Sequence, residues 1–176
     1  MNFEILSSEH LFGGKVFDLW REKIRYPDGR VTGIEFIKHG GAVTILPVDA
    51  EGNIWFVRQY RHPTGGLLLE LPAGTLEAGE DPRECAAREI REEIGMAAKT
   101  LTLVGEFYLA PGYSDEYMHV FLAEDLYRDP LEQDTSELIW VEKITVKEVW
   151  EMVRNGEIKD AKTLAIMALV VDRLGA

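Results

Sequence analysis

Cysteine is almost missing from this chain. The single thiol, Cys85, excludes an intrachain disulfide and a cysteine-based zinc cluster. Basic residues are also scarce: 19 Lys and Arg stand against 31 Asp and Glu, a formal charge of −12. Nucleic acids and anionic membranes are held by basic surfaces, so neither is an expected partner. An anionic small molecule stays open, provided a metal cation supplies the local positive charge. No apolar run reaches membrane-spanning length. The opening MNFEILSSEH lacks the basic segment and apolar core of a signal peptide. A soluble cytoplasmic protein is the expectation. Internal repeats, low-complexity stretches and long linkers are absent as well.

What is present suits one compact domain: 176 residues, 46% of them hydrophobic. KVFDLWREKIRYPDGRVTGIEFIKHG reads as two strands around a turn at Pro27-Asp28-Gly29. AVTILPVDAEGNIWFVRQYR repeats the pattern, and residues 43–48 and 54–57 are apolar enough for buried strands. GGLLLELPAG gives a short strand entering a Pro/Gly bend. LTLVGEFYLAPG and YMHVFLAEDL flank a loop, and LIWVEKI is a further strand. TVKEVWEMVRNG and DAKTLAIMALVVDRL are helices, with Thr145 and Asp160 as N-caps and Gly156 past the end of the first. Strands and helices mixed in this way predict an α+β fold, a mixed or antiparallel sheet with helices packed on it. Residues 1–38 form a small antiparallel β-segment in this reading, and 39–176 the main domain.

The segment GTLEAGEDPRECAAREIREEIGM concentrates carboxylates. Asp81, Pro82 and Glu84 are an N-cap, a first-turn proline and a capping-box partner, while Gly95 suits the left-handed position past a helix end. The helix therefore spans 82 to about 94. On a helical wheel Ala86, Ala87, Ile90 and Ile94 fall within about 100° and form the buried stripe. Glu89, Glu92 and Glu93 lie immediately beside it, at spacings that bring their carboxylates together. Two readings fit. One is a solvated acidic face partnered by Arg88 and Arg91. The other is a site for a hard divalent cation, which takes carboxylates, waters and substrate phosphates. Glutamates near a helix C-terminus oppose its dipole, and clustered carboxylates at a core edge are costly unless neutralised. Both points favour the cation.

The same residues resemble the Nudix box. Gly74, Glu80 six positions on, and Arg88-Glu89-Ile90-Arg91-Glu92-Glu93-Ile94-Gly95-Met96 match every fixed position of that pattern. RQYRHPTGGLLLELPAGTLEAGE and LAPGYSDEYMHVFLAEDL resemble the ADP-ribose pyrophosphatase branch, with Pro111 at its downstream proline marker. The resemblance implies a Nudix fold, a mixed β-sheet between helices. It implies Mg²⁺-dependent hydrolysis of ADP-ribose to AMP and ribose 5-phosphate, with Mn²⁺ or another divalent cation able to substitute. The alternatives are another nucleoside diphosphate sugar, such as ADP-glucose or GDP-mannose, or a ligand-binding protein without turnover.

Residue by residue, the resemblance makes Glu89 and Glu93 metal ligands. Glu92 ligates directly or through water, and the Ala73 carbonyl completes the site. Glu80 and Arg88 brace the loop and the glutamates, and Gly74 and Gly95 are structural. Glu137 is the candidate base, with Glu132, Asp134 and Glu116 as rivals and a box glutamate such as Glu92 as the alternative to any loop base; Glu92 and Arg88 are the further catalytic candidates. Thr135 and Ser136 stand where relatives are frequently acidic. Substrate contacts are expected from Arg61, Pro111 and Gly112, and from Arg30 across a homodimer. Trp20, Tyr26 and Phe36 are candidates for adenine stacking or for core and dimer packing. His39 and Cys85 read as structural.

Overall fold

The computed structural model describes residues 2–133 and 138–174. The chain divides into two compact units. One runs to Gly41 and takes in Tyr108–Tyr117; the other holds Ala42–Phe107 and the chain from Met118 onward. The first contains an antiparallel sheet of β1 (Glu4–Gly13), β2 (Asp18–Arg25) and β3 (Val31–Lys38), in that order. The turn at Pro27-Asp28-Gly29 forms as the sequence predicts. Gly29 adopts φ +88°, where a side chain would be strained. β1 lies outside the strands read from the sequence. Its polar SSEH centre carries no apolar alternation, and pairing with β2 holds it, helped by ion pairs from Arg25 to Glu4 and from Arg21 to Glu9.

The second unit is built on β4 (Ala42–Pro47), β5 (Asn53–Arg61), β6 (Gly66–Glu70), β7 (Ala73–Thr75), α1 (Pro82–Glu93), β8 (Met96–Tyr108), β9 (Tyr117–Arg128), β10 (Ile139–Thr145), α2 (Val146–Arg154), α3 (Ala161–Leu169) and the short α4 (Val171–Leu174). One sheet has the order β10-β5-β6, the other β7-β4-β9-β8. The second is mixed, because β4 runs parallel to β9 and antiparallel to β7. A parallel pair is normally covered on both faces, and every residue of β4 is buried. Val43 and Ile45 pack with Cys85, Ala86, Ile90 and Ile94 of the α1 region. Leu46 packs with Phe56, Leu69 and Val120, and with Val149 of α2 and Ile166 of α3. Each fully buried aliphatic or Phe side chain contributes about 1.5–3 kcal/mol.

The predicted caps hold. Thr145 forms a reciprocal capping box with Glu148, and Asp160 accepts the Thr163 N–H. Asp81 caps α1 by accepting the Arg83 N–H, and Gly95 takes φ +70° past its end. Three of the four stripe residues read on the wheel, Ala86, Ile90 and Ile94, are buried. Cys85, Ala86, Glu89, Ile90 and Glu93 are buried, while Ala87 is only half-buried. Two carboxylates thus lie inside the edge of the core, for a reason found in the loop before the helix.

Candidate active site

The loop before α1 is fixed to the sheet. The Pro72 carbonyl accepts the Ile45 N–H at 2.8 Å and the Thr44 hydroxyl at 3.3 Å. β7 then pairs Gly74 with Val43 and Ala73 with Thr44. This places two small residues against the inner side of α1. The Ala73 N–H donates to Glu93 Oε2 at 3.0 Å. Gly74 meets Glu89 so closely that a Cβ there would lie 1.9 Å from the Glu89 carboxyl carbon. The missing side chain of Gly74 is the space that the Glu89 carboxylate fills.

Arg88 gathers the rest. Its Nε and Nη2 donate to the two oxygens of Glu80, each at 3.1 Å. Its Nη1 donates to Glu89 Oε1 at 2.6 Å and to Glu92 Oε2 at 3.1 Å. One planar fork thus ties the loop to two helix glutamates, a geometry open to arginine but not lysine. The paired Arg88 guanidinium holds Glu80 below the ordinary carboxylate range, and Glu80 in turn holds Arg88 firmly protonated. Three carboxylates, Glu80, Glu89 and Glu92, share the one Arg88 guanidinium, and Glu93 stands beside them with its Oε2 on the Ala73 N–H. Glu89 and Glu93 are only 9% and 7% exposed, so water screens them poorly. Buried, anionic oxygen donors fit a hard divalent cation. Among the described residues, no three carboxylate, imidazole or thiol groups are drawn into a ready metal cage.

Cys85 beside this network is inert. Burial pushes its thiol up to about 12, and its sulfur touches Arg88 and the Thr75 carbonyl. The far end of α1 carries a contact that the sequence does not announce. The Leu131 N–H donates to the Arg91 carbonyl at 3.2 Å, the Asp129 N–H to the Gly95 carbonyl at 3.2 Å, and Arg91 Nε to the Asp129 carbonyl at 3.0 Å. The segment leading to Glu132 is therefore anchored at the helix end that bears Glu92 and Glu93. Glu132 is exposed. Asp134, Thr135, Ser136 and Glu137 lie outside the described residues.

Arg61, the last residue of β5, forms a two-pronged pair with Glu70, the last residue of β6, at 2.8 Å on both prongs. Glu70 is 2% exposed and also receives the buried Lys162 ammonium. Burial raises the cost of its charge, but Arg61 and Lys162 outweigh it and hold Glu70 below the ordinary carboxylate range. Sequence reading passes over Glu70 and Lys162. A lone acid inside the apolar run LLLEL is a sign of a paired buried charge, but its partner is invisible in sequence.

Arg30, Pro111, Gly112 and Glu116 belong to the first unit. Arg30 is exposed, with its Nε 2.7 Å from Asp28 Oδ2 and its guanidinium over the Tyr26 ring. Pro111 and Gly112 form an exposed turn closed by the Tyr113 N–H on the Ala110 carbonyl. Glu116 is half-buried. Trp20 pairs across β2–β3 with Phe36 and lies under the Lys38 ammonium. His39 Nδ1 accepts the Gly41 N–H, a structural role.

The family model of the NUDIX domain matches residues 38–165. An ADP-ribose pyrophosphatase of Bacillus subtilis is 42% identical over 160 residues, covering 90% of this chain and 86% of the relative. An ADP-ribose pyrophosphatase of Mycobacterium tuberculosis is 48% identical over 126 residues, covering 71% of this chain and 61% of the relative. A crystal structure of an ADP compounds hydrolase superposes with a TM-score of 0.87 over 99% of this chain and 95% of that one, at 24% identity.

Proposed function

The chain belongs to the NUDIX family of pyrophosphohydrolases, and from that membership we propose that it hydrolyses ADP-ribose to AMP and ribose 5-phosphate with Mg²⁺ in the cytoplasm. Family members generally use divalent cations, and no helix among the described residues is long and apolar enough to cross a membrane. The observation that carries the proposal is the buried Glu89 and Glu93 pair, packed on Gly74 and Ala73 and braced by Arg88.

Glu89, Glu93 and Glu92 hold the cation in this reading, with the Ala73 carbonyl as a further oxygen donor. Bound Mg²⁺ supplies charge neutralisation of the pyrophosphate and lowers the pKa of an attacking water. The chain's own residues do the remaining work. Arg88 keeps Glu89 and Glu92 in fixed orientation. Glu80 and Gly95 set the two ends of the loop and helix. Arg61 contacts the substrate, as do Pro111 and Gly112, and Arg30 does so from the partner subunit of a homodimer; the arginines offset the substrate's negative charge. Glu137 takes the proton of the water. The Leu131 anchor supports a base from this loop, because it ties the incoming chain to the last turn of α1. Glu137→Gln is expected to lower kcat by about 10²–10⁴-fold with little change in KM. A drop below tenfold, with the large loss falling on Glu132, Asp134 or Glu116, transfers the role. Mild effects at all four sites refute a loop base.

Residues 1–38 serve dimerisation and substrate contact in this proposal, and 39–176 are the hydrolase domain. Exposed Phe3, Ile5, Phe12, Phe17, Val31 and Ile34 support an apolar homodimer face. Sedimentation at micromolar concentration is expected to give a dimer, and a uniform monomer counts against it.

The substrate is tested by a panel of ADP-ribose, ADP-glucose, GDP-mannose and NADH at saturating Mg²⁺. The highest kcat/KM is expected for ADP-ribose. A higher value for ADP-glucose or GDP-mannose selects the other nucleoside diphosphate sugars, and absence of turnover throughout selects a ligand-binding protein.

A further inference from the structure

Arg61 is one member of a buried chain of charges. Its fork is bonded to both oxygens of Glu70, whose Oε2 also receives Lys162 Nζ. Lys162 stands in the first turn of α3, 8% exposed, and donates to Asp160 Oδ1 at 2.9 Å. Thr163 donates its hydroxyl proton to Asp160 Oδ2 at 2.6 Å and accepts the Leu71 N–H at 3.1 Å. The start of α3 thus grips Glu70 and Leu71, and Pro72, Ala73 and Gly74 of the acidic site follow directly. A buried ion pair adds little stability over apolar residues of similar size. What this one supplies is direction, since a two-pronged carboxylate fixes the plane of a guanidinium.

We propose that Lys162 and Glu70 are positioning residues for substrate binding: Lys162 anchors the Glu70 carboxylate, and Glu70 orients the Arg61 guanidinium toward the anionic substrate. The start of α3 thereby sets substrate affinity from outside the acidic motif. The proposal rests on the reading of Arg61 as a substrate contact.

Steady-state kinetics with ADP-ribose at saturating Mg²⁺ test it in a double-mutant cycle of Lys162→Met and Arg61→Ala. Arg61→Ala is expected to raise KM about tenfold or more. Lys162→Met is expected to raise KM by about 3- to 10-fold with kcat within about twofold, and to add nothing in the Arg61→Ala background. A purely structural Lys162 lowers the melting temperature but leaves KM unchanged, or changes KM additively with Arg61→Ala; either result overturns the positioning role and leaves the active-site reading intact. An unchanged KM in Arg61→Ala removes the substrate contact itself, and the proposal with it. If Lys162→Met does not fold, Glu70→Gln, nearly isosteric with the native residue, takes its place in the same cycle with the same criteria.

Discussion

Glu93→Gln is expected to lower kcat by more than the about 10–100-fold that follows loss of an outer partner of a metal ligand. Glu93 is buried, and its Oε2 accepts the Ala73 N–H. The amide oxygen of glutamine can accept that same bond, so the local fold survives. What disappears is one carboxylate from a cluster in which three others already share a single guanidinium. Cation affinity falls with it, because hard divalent cations depend on carboxylate charge. The loss of turnover is therefore expected to be greatest at limiting Mg²⁺ and to ease as Mg²⁺ is raised, with an unchanged circular dichroism spectrum. Near wild-type turnover at limiting Mg²⁺ refutes Glu93 as a ligand.

Gly74→Ala is expected to abolish most activity through a single methyl group. The added Cβ falls 1.9 Å from the carboxyl carbon and Oε1 of Glu89 and 2.4 Å from its Cγ. No such contact is tolerated, so the Glu89 side chain must swing out of its place. That breaks its 2.6 Å bond to Arg88. Misplacement of a reacting constellation by about 1 Å costs on the order of 10²-fold. The position itself has no left-handed backbone requirement, since Gly74 is not among the glycines with positive φ. Alanine therefore adds no backbone strain, and the displaced group is the end of a flexible side chain. The melting temperature is expected to move by only a few degrees, about 2–4 °C per kcal/mol for a domain of this size. A large fall in melting temperature matched by the activity loss means that Gly74 serves folding alone. Wild-type activity means that Glu89 does not need its present pose.

Much of this site is legible in the sequence because its determinants are local. Asp81-Pro82 and Gly95 bound α1, and both end signals are present in the structure. Thr145 with Glu148 starts α2 by the same kind of local chemistry. The wheel found the buried Ala86, Ile90 and Ile94 but set Glu89 and Glu93 beside the stripe rather than within it, for a physical reason. It ranks residues by hydrophobicity, whereas Glu89 and Glu93 are buried by a vacancy at Gly74 and a bond from Ala73, supplied by a different strand. Non-local pairing is the second limit. Nothing near β4 states that it runs parallel to β9. Lys162 and Glu70 meet across 92 positions of sequence, with only the isolated acid in LLLEL as a trace. β1 has no hydrophobic period at all and owes its place to pairing with β2.

Whether the buried glutamates serve a divalent cation in ADP-ribose hydrolysis is read most directly from one titration. ADP-ribose is incubated with the purified protein in excess EDTA, Mg²⁺ is then added back in steps, and AMP and ribose 5-phosphate are quantified. The expected result is no turnover in EDTA and recovery with rising Mg²⁺, the two products appearing in equal amounts. Full activity in excess EDTA, or Mg²⁺-restored turnover that yields neither AMP nor ribose 5-phosphate, contradicts it.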